Sequence, residues 1–503
     1  MRDTSALQHL ANQNVWGSLW PELSLGTLAL LLLVLEIILP KKSHDVISKV
    51  AIFGQFILLG LLVFGACSDT LSKTEIFNGL ITLTKTTHLF RIFFLLASLL
   101  VSMIARVTLA KQTMPKVEFY HIVMVVAAAM MLLVESTHLM MGFVALETVT
   151  IGLYVLVSYC RESALTLEAG LKYLIMGALS SSLLLFGIVL LYGISGNPSL
   201  VGHTADGMHF QALGAFLQLN PHNFIASVGV ILVIAGIAFK MGVFPFQIWV
   251  PDVYQGAPTP TTAFLAVASK AAGFGFLLGL FKLVLLPYSW LVIPVLSFMA
   301  GATILFGNFA ALTQTNVKRL IGLSGVSHAG FLLLGVIASA TIPMAIGAIY
   351  FYLFSYLFAS FLVFFVMAHV AQADDANQEL THFIGLSRDN PFLSAILAIG
   401  LGSLAGIPPL AGFMGKFFVF LSAYQAKMYS LLFVAILGVV ISIYYYFSWI
   451  KAAFFESVEL DPATPKRART EVCMGNRIIF TVIALATLIL GFYQGSLGQW
   501  LSW

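Results

Sequence analysis

Three lysines and one glutamate lie inside long apolar segments of this 503-residue chain. The lysines are Lys240 in AGIAFKMGVFPF, Lys270 in FLAVASKAAGFGF and Lys416 in LAGFMGKFFVFL, and the glutamate is Glu147 in MGFVALETVTIGL. A charged side chain at the centre of a membrane helix costs about 2.5–3.5 kcal/mol on insertion scales. Because stability does not favour such placements, ionisable groups at membrane depth indicate a functional site, usually a path for ions or protons.

A buried lysine can bind and release a proton when its surroundings change. Burial disfavours the charged form of lysine, and a nearby carboxylate favours it. We therefore predict that Glu147 and Lys240 form a switchable pair, in which Lys240 holds its proton while the carboxylate is close. The alternative is a static ion pair that only packs two helices together.

Three further residues are candidates for the same proton relay. Lys270 would carry a proton from the first half of the chain to the second, or it donates an interhelical hydrogen bond to a carbonyl. Lys416 would be the terminal site, and its depth disfavours a side chain that snorkels to the surface. His328, with Ser324 and Ser327 within one turn, can bridge lysine sites through water, although a lone buried histidine is often only a core residue.

The composition specifies what kind of structure holds these residues. The chain is 60% hydrophobic and 9% charged, with a mean hydropathy of +0.98, which no soluble globular domain shows. Apolar runs long enough to span a bilayer follow one another from end to end. We predict an all-α polytopic membrane protein of about fourteen helices, at 21–40, 47–66, 88–109, 117–134, 138–159, 165–193, 222–244, 261–283, 289–312, 319–339, 343–369, 391–424, 429–455 and 473–500.

Two of these helices contain breakers deep inside the membrane. Helix 7 runs into Gly242 and Pro245 directly after Lys240, and helix 12 contains the stretch 406–412, GIPPLAG, just before Lys416. Proline removes a helix hydrogen bond and clashes with the preceding turn. Broken helices at membrane depth are tolerated only where they line a cavity or face protein. Asp252, at the mouth of the first break, either feeds protons inward or caps a turn.

The two breaks are five helices apart, which predicts two five-helix units. Helices 4–8 (residues 117–283) would form the first and helices 9–13 (residues 289–455) the second. An odd number of helices inverts the second unit, and inverted repeats with matched broken helices are typical of transport sites. Helices 1–3 (within residues 1–110) and helix 14 (residues 473–500) complete a single membrane domain over residues 1–503.

Basic side chains are distributed unequally between the two sides of the membrane. Of the 25 lysines and arginines, sixteen lie in loops after odd-numbered helices, six lie on the other side, and three are the intramembrane lysines. The sixteen are Lys41, Lys42, Lys49, Arg106, Lys111, Lys116, Arg161, Lys172, Lys318, Arg319, Arg388, Lys451, Lys466, Arg467, Arg469 and Arg477; the six are Arg2, Lys73, Lys85, Arg91, Lys282 and Lys427. The positive-inside rule then predicts both termini outside, on the periplasmic face of a bacterial inner membrane.

Several kinds of site are disfavoured. The three cysteines, Cys67, Cys160 and Cys473, are far apart, which argues against iron–sulfur, zinc and disulfide sites. Glycine clusters such as that at 273–279 lie inside apolar helices without a preceding strand, so close helix packing explains them better than nucleotide binding. The net charge of +4 is explained by loop topology and gives no reason to expect nucleic acid. We therefore expect no redox centre, metal or nucleotide site in this chain.

Three stretches resemble a known family. Residues 239–275, FKMGVFPFQIWVPDVYQGAPTPTTAFLAVASKAAGFG, are similar to the signature of the antiporter-like subunits of respiratory complex I. The VPDVYQGAPTP form, residues 167–193 (LEAGLKYLIMGALSSSLLLFGIVLLYG) and the GIPPLAGFMGKFFVF stretch of helix 12 resemble the subunit N family of the bacterial NADH:quinone oxidoreductase, the counterpart of mitochondrial subunit 2.

The resemblance implies a proton-translocating subunit, coupled to electron transfer from NADH to quinone in other subunits. By position, Glu147 matches the family's helix 5 glutamate, and Lys240, Lys270 and Lys416 match the lysines of helices 7, 8 and 12. His328 falls at a polar site of helix 10. The resemblance also implies that NADH, FMN, iron–sulfur clusters and quinone are bound by partner subunits, and that the neighbours of this chain are other membrane subunits and the lipid bilayer.

Three alternatives remain at this point. A subunit of a multi-subunit Na⁺/H⁺ antiporter shares the fold and the Lys/Glu core, although the QGAPTP motif and the length of the chain favour subunit N. A membrane subunit of a related hydrogenase or other dehydrogenase is the second. A structural membrane anchor is the third, and it needs neither buried charges nor broken helices.

Overall fold

The computed structural model describes residues 14–40, 44–66, 73–111, 116–371, 375–376, 378–456 and 472–493. Some predicted features lie outside these ranges. They are Cys67, the basic residues Arg2, Lys41, Lys42, Lys466, Arg467 and Arg469, and the part of predicted helix 14 after residue 493.

The described chain is a bundle of membrane-spanning helices. Twelve helical stretches are long and apolar enough to span; one of them, Thr259–Leu312, holds two helices, and one further helix is broken into two shorter pieces, which makes fourteen. They are α1 (Trp20–Ile38), α2 (His44–Ala66), α3 (Lys85–Ala110), α4 (Val117–Glu135), α5 (Leu139–Val157), α6 (Ala164–Ser195), α7a (Phe224–Met241) with α7b (Val250–Gly256), α8 (residues 259–285), α9 (Ser289–Leu312), α10 (Val317–Ala338), α11 (Met344–Val370), α12a (Pro391–Ala405) with α12b (Ala411–Gln425), α13 (Tyr429–Phe454) and α14 (Met474–Phe492).

The predicted fold class is confirmed, and most helix ends agree with the prediction within about four residues. Polar residues at the ends explain where several helices begin. Asn223, Asn316 and Asn390 accept backbone N–H groups at the starts of α7a, α10 and α12a, the usual role of asparagine at a helix N-cap. Two short helices, Phe210–Leu219 and Leu386–Asp389, lie in segments that the sequence analysis treated as loops.

A small hairpin joins α2 to α3, in a segment predicted as loop. Strands β1 (Thr74–Ile76) and β2 (Ile81–Leu83) pair antiparallel. Their connection includes Asn78 and Gly79 at φ of 55° and 82°, and an Asn-Gly pair at positive φ is the strongest local signal for a hairpin. β2 bridges to Ser136 at the end of α4. Because successive spanning helices alternate in direction, α4 ends on the face of the bundle where α1 begins, and the hairpin lies on that face. We call this the N-terminal face.

The centre of the bundle is α10. In its most apolar 18-residue segment every residue is buried. The corresponding segments are 89% buried in α11 and 78% buried in α3, but only 28% buried in each of α1, α2, α13 and α14. Exposed aliphatic side chains on the outer helices are typical of a lipid-facing surface. His328 and Gly325 lie on α10, which places the middle of the predicted relay in the most enclosed part of the fold.

The two predicted breaks are present and end their first pieces in the same way. Gly242 and Gly406 take left-handed φ values of 66° and 84°, a conformation that favours glycine. Each closes a Schellman motif. The bonds are Gly242 N to Phe239 O and Val243 N to Ala238 O in α7, and Gly406 N to Ser403 O and Ile407 N to Gly402 O in α12. The two breaks thus share one geometry, and the division of the chain into two five-helix units stays a prediction.

Two basic residues that were counted as loop charges are buried. Arg91 lies inside α3 and contacts Glu22 and Glu135. Lys318 is fully buried at the start of α10, where Nζ donates to the carbonyls of Ala257 and Asp375 and lies 3.2 Å from the Asp375 carboxylate. Both placements were predicted wrongly, because the partners that stabilise the buried charges are distant in sequence. Removing one charge from each side leaves the asymmetry of loop charge in place.

Candidate functional site

Lys240 is the penultimate residue of α7a, and only 6% of it is exposed. Its Nζ lies 5.9, 5.7 and 5.9 Å from the ring centroids of Tyr154, Tyr173 and Phe239. Nζ is a buried polar atom without a hydrogen-bond partner in the described part of the chain. Cation–π contacts, worth roughly 0.5–2 kcal/mol each, therefore take the place of the ion pair that is usual for a buried lysine.

Glu147 lies on α5 and is half-buried. One of its carboxylate oxygens accepts a hydrogen bond from Ser181 Oγ on α6. Since Lys240 Nζ has no such partner, the predicted Glu147–Lys240 pair is not a direct contact in this structure. A switchable pair would require a second conformation that brings the two side chains together, and the pairing stays a prediction.

Lys270 follows a π-helical stretch, Leu265–Ser269, in the middle of α8. Such stretches are rare and often occur at functional sites. Nζ donates to the carbonyl of Gly325 on α10 and lies 5.4 Å from the ring centroid of Tyr356. A Cβ at position 325 would lie 2.9 Å from Nζ, so glycine permits this approach. This hydrogen bond to a backbone carbonyl is the interhelical bond that the alternative, purely structural role of Lys270 predicts. The relay role stays a prediction.

His328 is held by two tyrosine hydroxyls. Nδ1 lies 2.5 Å from the hydroxyl of Tyr352 on α11, and Nε2 lies 3.1 Å from that of Tyr446 on α13. The Tyr356 ring centroid is 4.9 Å from the imidazole. Of the predicted neighbours, Ser324 Oγ donates to the Ile321 carbonyl, and Ser327 Oγ accepts a hydrogen bond from Asn308 Nδ2.

The tyrosine hydroxyls are functional candidates that the sequence analysis missed. Tyr352 and Tyr356 are four residues apart and therefore share one face of α11. Tyr446 is adjacent to Tyr445, whose hydroxyl donates to Asn308 Oδ1. The available signal was the occurrence of tyrosines at helical spacing in otherwise apolar spans, but such residues are more often ordinary core.

Lys416 lies on α12b and reaches back across the break. Its Nζ donates to the carbonyls of Leu404 and Ala405, at 2.8 and 3.0 Å, which are the last two residues of α12a. It also lies 5.5 Å from the ring centroid of Phe331 on α10. The ammonium thus occupies the C-terminal end of a half-helix, where the backbone dipoles concentrate partial negative charge.

A small cavity joins His328 to Lys416. Its walls also include Tyr352, Ser355 and Tyr356, and its volume of about 10 Å³ is close to what one ordered water requires. Hydroxyl and carbonyl groups around it provide the polar partners that such a water needs. Lys270, Tyr356, His328 and Lys416 are therefore brought together as one cluster.

Lys240 and Lys270 are linked only by packing of their helices. Gly273, one turn after Lys270, faces the end of α7a, since a Cβ there would lie 3.0 Å from Met241 Cγ and 3.7 Å from Lys240 Cβ. Along the first half of the predicted axis, Glu147 to Lys240 to Lys270, the helices are adjacent. In the described chain, however, no continuous set of hydrogen bonds links the three side chains.

Asp252 on α7b lies at the face opposite the N-terminal face and joins three helices. Its carboxylate oxygens lie 2.7 Å from Lys172 Nζ of α6 and 2.7 Å from Arg319 Nη1 of α10. Asp252 therefore takes part in an ion-pair network, and whether it also feeds protons inward stays a prediction. Within the described ranges, no group of three His, Cys, Asp or Glu residues is placed to hold a metal ion.

Comparisons with known proteins agree in a single family. The sequence profile described as NADH:quinone oxidoreductase/Mrp antiporter, transmembrane, matches residues 136–442, a range that contains all five predicted relay residues. The chain is 63% identical over 498 residues to subunit N 1 of NADH-quinone oxidoreductase from Opitutus terrae, covering 99% of each chain. It is 34% identical over 498 residues to subunit N from Desulfitobacterium hafniense, covering 95% of this chain and 96% of the other.

A solved structure shows the same fold. A chain of respiratory complex I from Thermus thermophilus, solved with bound Aureothin, is similar to this chain with a TM-score of 0.78 and 28% sequence identity. The match covers 95% of this chain and 98% of that one.

Proposed function

The chain belongs to the subunit N family of NADH-quinone oxidoreductase, the antiporter-like membrane subunits of respiratory complex I, and from this premise we propose that its proton path runs through Glu147, Lys240, Lys270, His328 and Lys416. The chain is a proton-translocating subunit of an enzyme complex. Electron transfer from NADH to quinone takes place in other subunits and supplies the free energy for pumping.

The main support for this path is the buried cluster around α10. Lys270 contacts Tyr356, Tyr356 packs on His328, and His328 shares a water-sized cavity with Lys416. Side chains at membrane depth that can bind or pass protons are expensive to keep there. Their grouping in the most enclosed part of the bundle supports transfer between them better than a purely structural role.

Separation of Glu147 from Lys240 supports the switch at the start of the path. In this conformation the carboxylate is bonded to Ser181, and the ammonium contacts aromatic rings. A second conformation that brings the two groups together would stabilise the proton on Lys240. Alternation between these arrangements would couple a conformational change to proton uptake and release, because a shift between two states requires an interaction that differs between them.

The surroundings of the chain follow from the same proposal. We place this multi-pass protein in the bacterial inner membrane with both termini on the periplasmic face, because loop lysines and arginines concentrate on the other side. Neighbouring membrane subunits and lipid would cover its exposed aliphatic surface. NADH, FMN, iron–sulfur clusters and quinone would be held by partner subunits, with none bound here.

The alternatives from the sequence have less support. The matching profile describes both NADH:quinone oxidoreductases and Mrp antiporters, but the relatives compared above are named as subunit N of NADH-quinone oxidoreductase. A passive anchor would not require Lys240, Lys270 and Lys416 to be buried at 4–6% exposure.

Substitution of Lys240 tests the path. Membranes that contain the Lys240→Ala complex should lose NADH-driven proton pumping at least severalfold, because the proposed proton acceptor is gone. NADH:ferricyanide reductase activity, which bypasses the membrane subunits, reports the amount of assembled complex. Lys451→Ala is the matched control, since Lys451 is an exposed lysine at the end of α13 whose ion-pair partner in the described chain is Glu456.

Normal pumping by an assembled Lys240→Ala complex would remove Lys240 from the path. The same assay in sodium-free medium separates proton pumping from Na⁺/H⁺ exchange, because the proposed function requires no sodium.

A further inference from the structure

A second buried ionisable cluster lies away from the proposed path, near the N-terminal face. Arg91 on α3 faces Glu22 on α1 and Glu135 at the end of α4. Arg91 Nε lies 2.7 Å from Glu22 Oε1 and 2.6 Å from Glu135 Oε1, and Nη2 adds bonds to Glu22 Oε2 and to the Ser18 carbonyl, both at 3.1 Å. The side chains of Arg91 and Glu22 are 5% exposed and that of Glu135 is fully buried.

The cluster contains one more acidic group than basic groups. Glu22 takes the directed hydrogen bonds of the guanidinium, whereas both oxygens of Glu135 have no hydrogen-bond partner in the described chain, although Oε1 is close to Arg91. With both carboxylates ionised, the cluster would carry an uncompensated negative charge, which is expensive in a buried site. A single proton held between the two carboxyl groups would make the cluster neutral.

Glu135 also lines a cavity of about 430 Å³. Thr82, Thr87 and Thr137 line the same space. The walls are mostly apolar, but the volume is large enough for several waters, and Glu135 and the threonines give such waters polar partners. The buried carboxyl group is therefore at the inner end of a space that can hold several hydrogen-bonded waters.

The other charged groups of the cavity lie toward its exposed side. Lys73 and Glu75 are both exposed and pair with each other at 2.9 Å, Lys282 is exposed, and His209 accepts the backbone N–H of Gln211 at Nδ1. On α3 itself, His88 is one turn from Arg91 and its Nε2 contacts the Leu62 carbonyl. None of these groups pairs with Glu135 within the described chain.

The far wall of the cavity is α8, the helix that holds Lys270. Gly275 and Gly279 line it, and Gly275 follows Lys270 by five residues, or about 7.5 Å along the helix axis. A Cβ at Gly279 would meet no atom within 4 Å, so that position opens into free space. The cavity thus approaches the centre of the proposed proton path from the N-terminal face.

We propose that Glu135, together with Glu22 and Arg91, forms a proton-binding site that exchanges protons with this face of the membrane through the cavity. Arg91 neutralises one carboxylate. The second accepts a proton from hydronium in the cavity, giving a carboxylic acid and water, and the reverse transfer releases it. This inference rests on the proposed function, because it assigns to the same subunit a place where protons reach or leave one face.

Infrared spectroscopy of the intact complex tests whether a proton is held. We expect the wild type to show the C=O stretch of a protonated carboxyl group that shifts in heavy water, and we expect both Glu135→Gln and Glu22→Gln to lose it. Either substitution leaves one carboxylate for one guanidinium, and the shared proton is then no longer needed. If the cluster is a purely structural ion-pair cluster with both carboxylates ionised, the wild type has no such band and neither substitution removes one. That result would overturn the proposal even if a variant assembled poorly.

Blocking the cavity tests whether protons use it. Gly279→Leu would place a side chain in the open space, and we expect protons pumped per NADH oxidised to fall to the level of the Lys240→Ala complex. Gly193→Leu is the matched control, because Gly193 is an exposed helix glycine that also has no atom within 4 Å of its Cβ position.

The outcomes separate this site from the proposed function. Reduced pumping in Lys240→Ala with wild-type pumping in Gly279→Leu and Glu135→Gln would reject the cavity site and keep the path. Wild-type pumping in Lys240→Ala with reduced pumping in Glu135→Gln and Gly279→Leu would reject that lysine and keep the cavity site.

Discussion

At the scale of single residues, the three membrane lysines share neutral partners. Lys240, Lys270 and Lys416 each have Nζ within 5.4–5.7 Å of an aromatic ring centroid, and the latter two also donate to backbone carbonyls. Rings and carbonyls stabilise a cation through partial charges only. None of the three is thus fixed as one half of an ion pair, which suits a group that must exchange its proton.

The Tyr446 hydroxyl should matter for function because it is one of two hydrogen-bond partners of His328. Tyr446→Phe removes that partner while keeping the ring, and a buried hydrogen bond is worth about 1 kcal/mol. If the bond is needed during transfer, pumping should slow about fivefold. Proton pumping by the reconstituted complex is the measurement.

Tyr444→Phe is the control for this substitution, since Tyr444 is two residues away on the same helix and 68% exposed. Equal pumping by the two variants would mean that the Tyr446 hydroxyl only fills space.

Sequence alone identified the charged residues of the site but not their partners. Glu147 and the three lysines are conspicuous because a charge in an apolar span is costly at any position. Tyr352, Tyr356 and Tyr446 are not, because tyrosine is tolerated in apolar cores. Arg91 was assigned to a loop because it lies near the start of a helix, and its partners Glu22 and Glu135 come from two other helices.

At the scale of elements, the two broken helices complete their exposed ends differently. In α7, the Phe239 carbonyl accepts a bond from the indole of Trp249. In α12, Lys416 bonds the last two carbonyls of α12a, and Ser403 Oγ accepts the N–H of Gly412 from the second piece. A helix end at membrane depth must satisfy its backbone groups within the protein, and of these two breaks it is that of α12 that uses a buried lysine, Lys416, to do so.

Gly406→Ala should weaken this end of α12a. The substitution forces an alanine into the left-handed region, at a cost of about 1–2 kcal/mol, and its Cβ would lie 3.1 Å from Lys416 Cδ and 3.3 Å from Nζ. We expect pumping to fall and to be lost at a lower temperature than in the wild type. Both are measured on the reconstituted complex after stepwise heating.

Gly193→Ala provides the comparison, because that helix glycine has room for a Cβ and alanine there should stabilise by about 0.4–1 kcal/mol. If the two variants lost pumping at the same temperature, the left-handed turn would not be important for α12.

Helix number and position were predictable because each span must cross about 30 Å of hydrocarbon. The breaks were predictable from proline and glycine at membrane depth. The hairpin at Thr74–Ile76 and Ile81–Leu83 was not predicted, although Asn78-Gly79 was a usable signal. The π-helical stretch before Lys270 was not predictable either, because local residue preference does not encode it, and the helices packed against it, α3, α4 and α11, come from other parts of the sequence.

At the scale of the whole molecule, enclosure and charge asymmetry are the two features that relate the site to the membrane. The cluster of Lys270, Tyr356, His328 and Lys416 lies on and beside α10, whose most apolar part is fully buried by the surrounding helices. Basic loop residues concentrate on the face opposite the N-terminal face, and the ion-pair network of Lys172, Asp252 and Arg319 lies there too. The cavity of Glu135 opens on the N-terminal face, so the two faces differ in both charge and access.

Native cysteines can test the predicted orientation. Cys473 is exposed at the start of α14, on the face predicted to be cytoplasmic, whereas Cys160 on the same face is buried. Burial raises the pKa of the Cys160 thiol to about 12, so almost none of it is the reactive thiolate near neutral pH. With Cys67 replaced by serine, a membrane-impermeant maleimide should label this chain of the complex in inside-out vesicles. The chain should stay unlabelled in right-side-out vesicles. Cys473→Ser should abolish the signal, and labelling confined to right-side-out vesicles would instead place both termini in the cytoplasm and the Glu135 cavity on the cytoplasmic face.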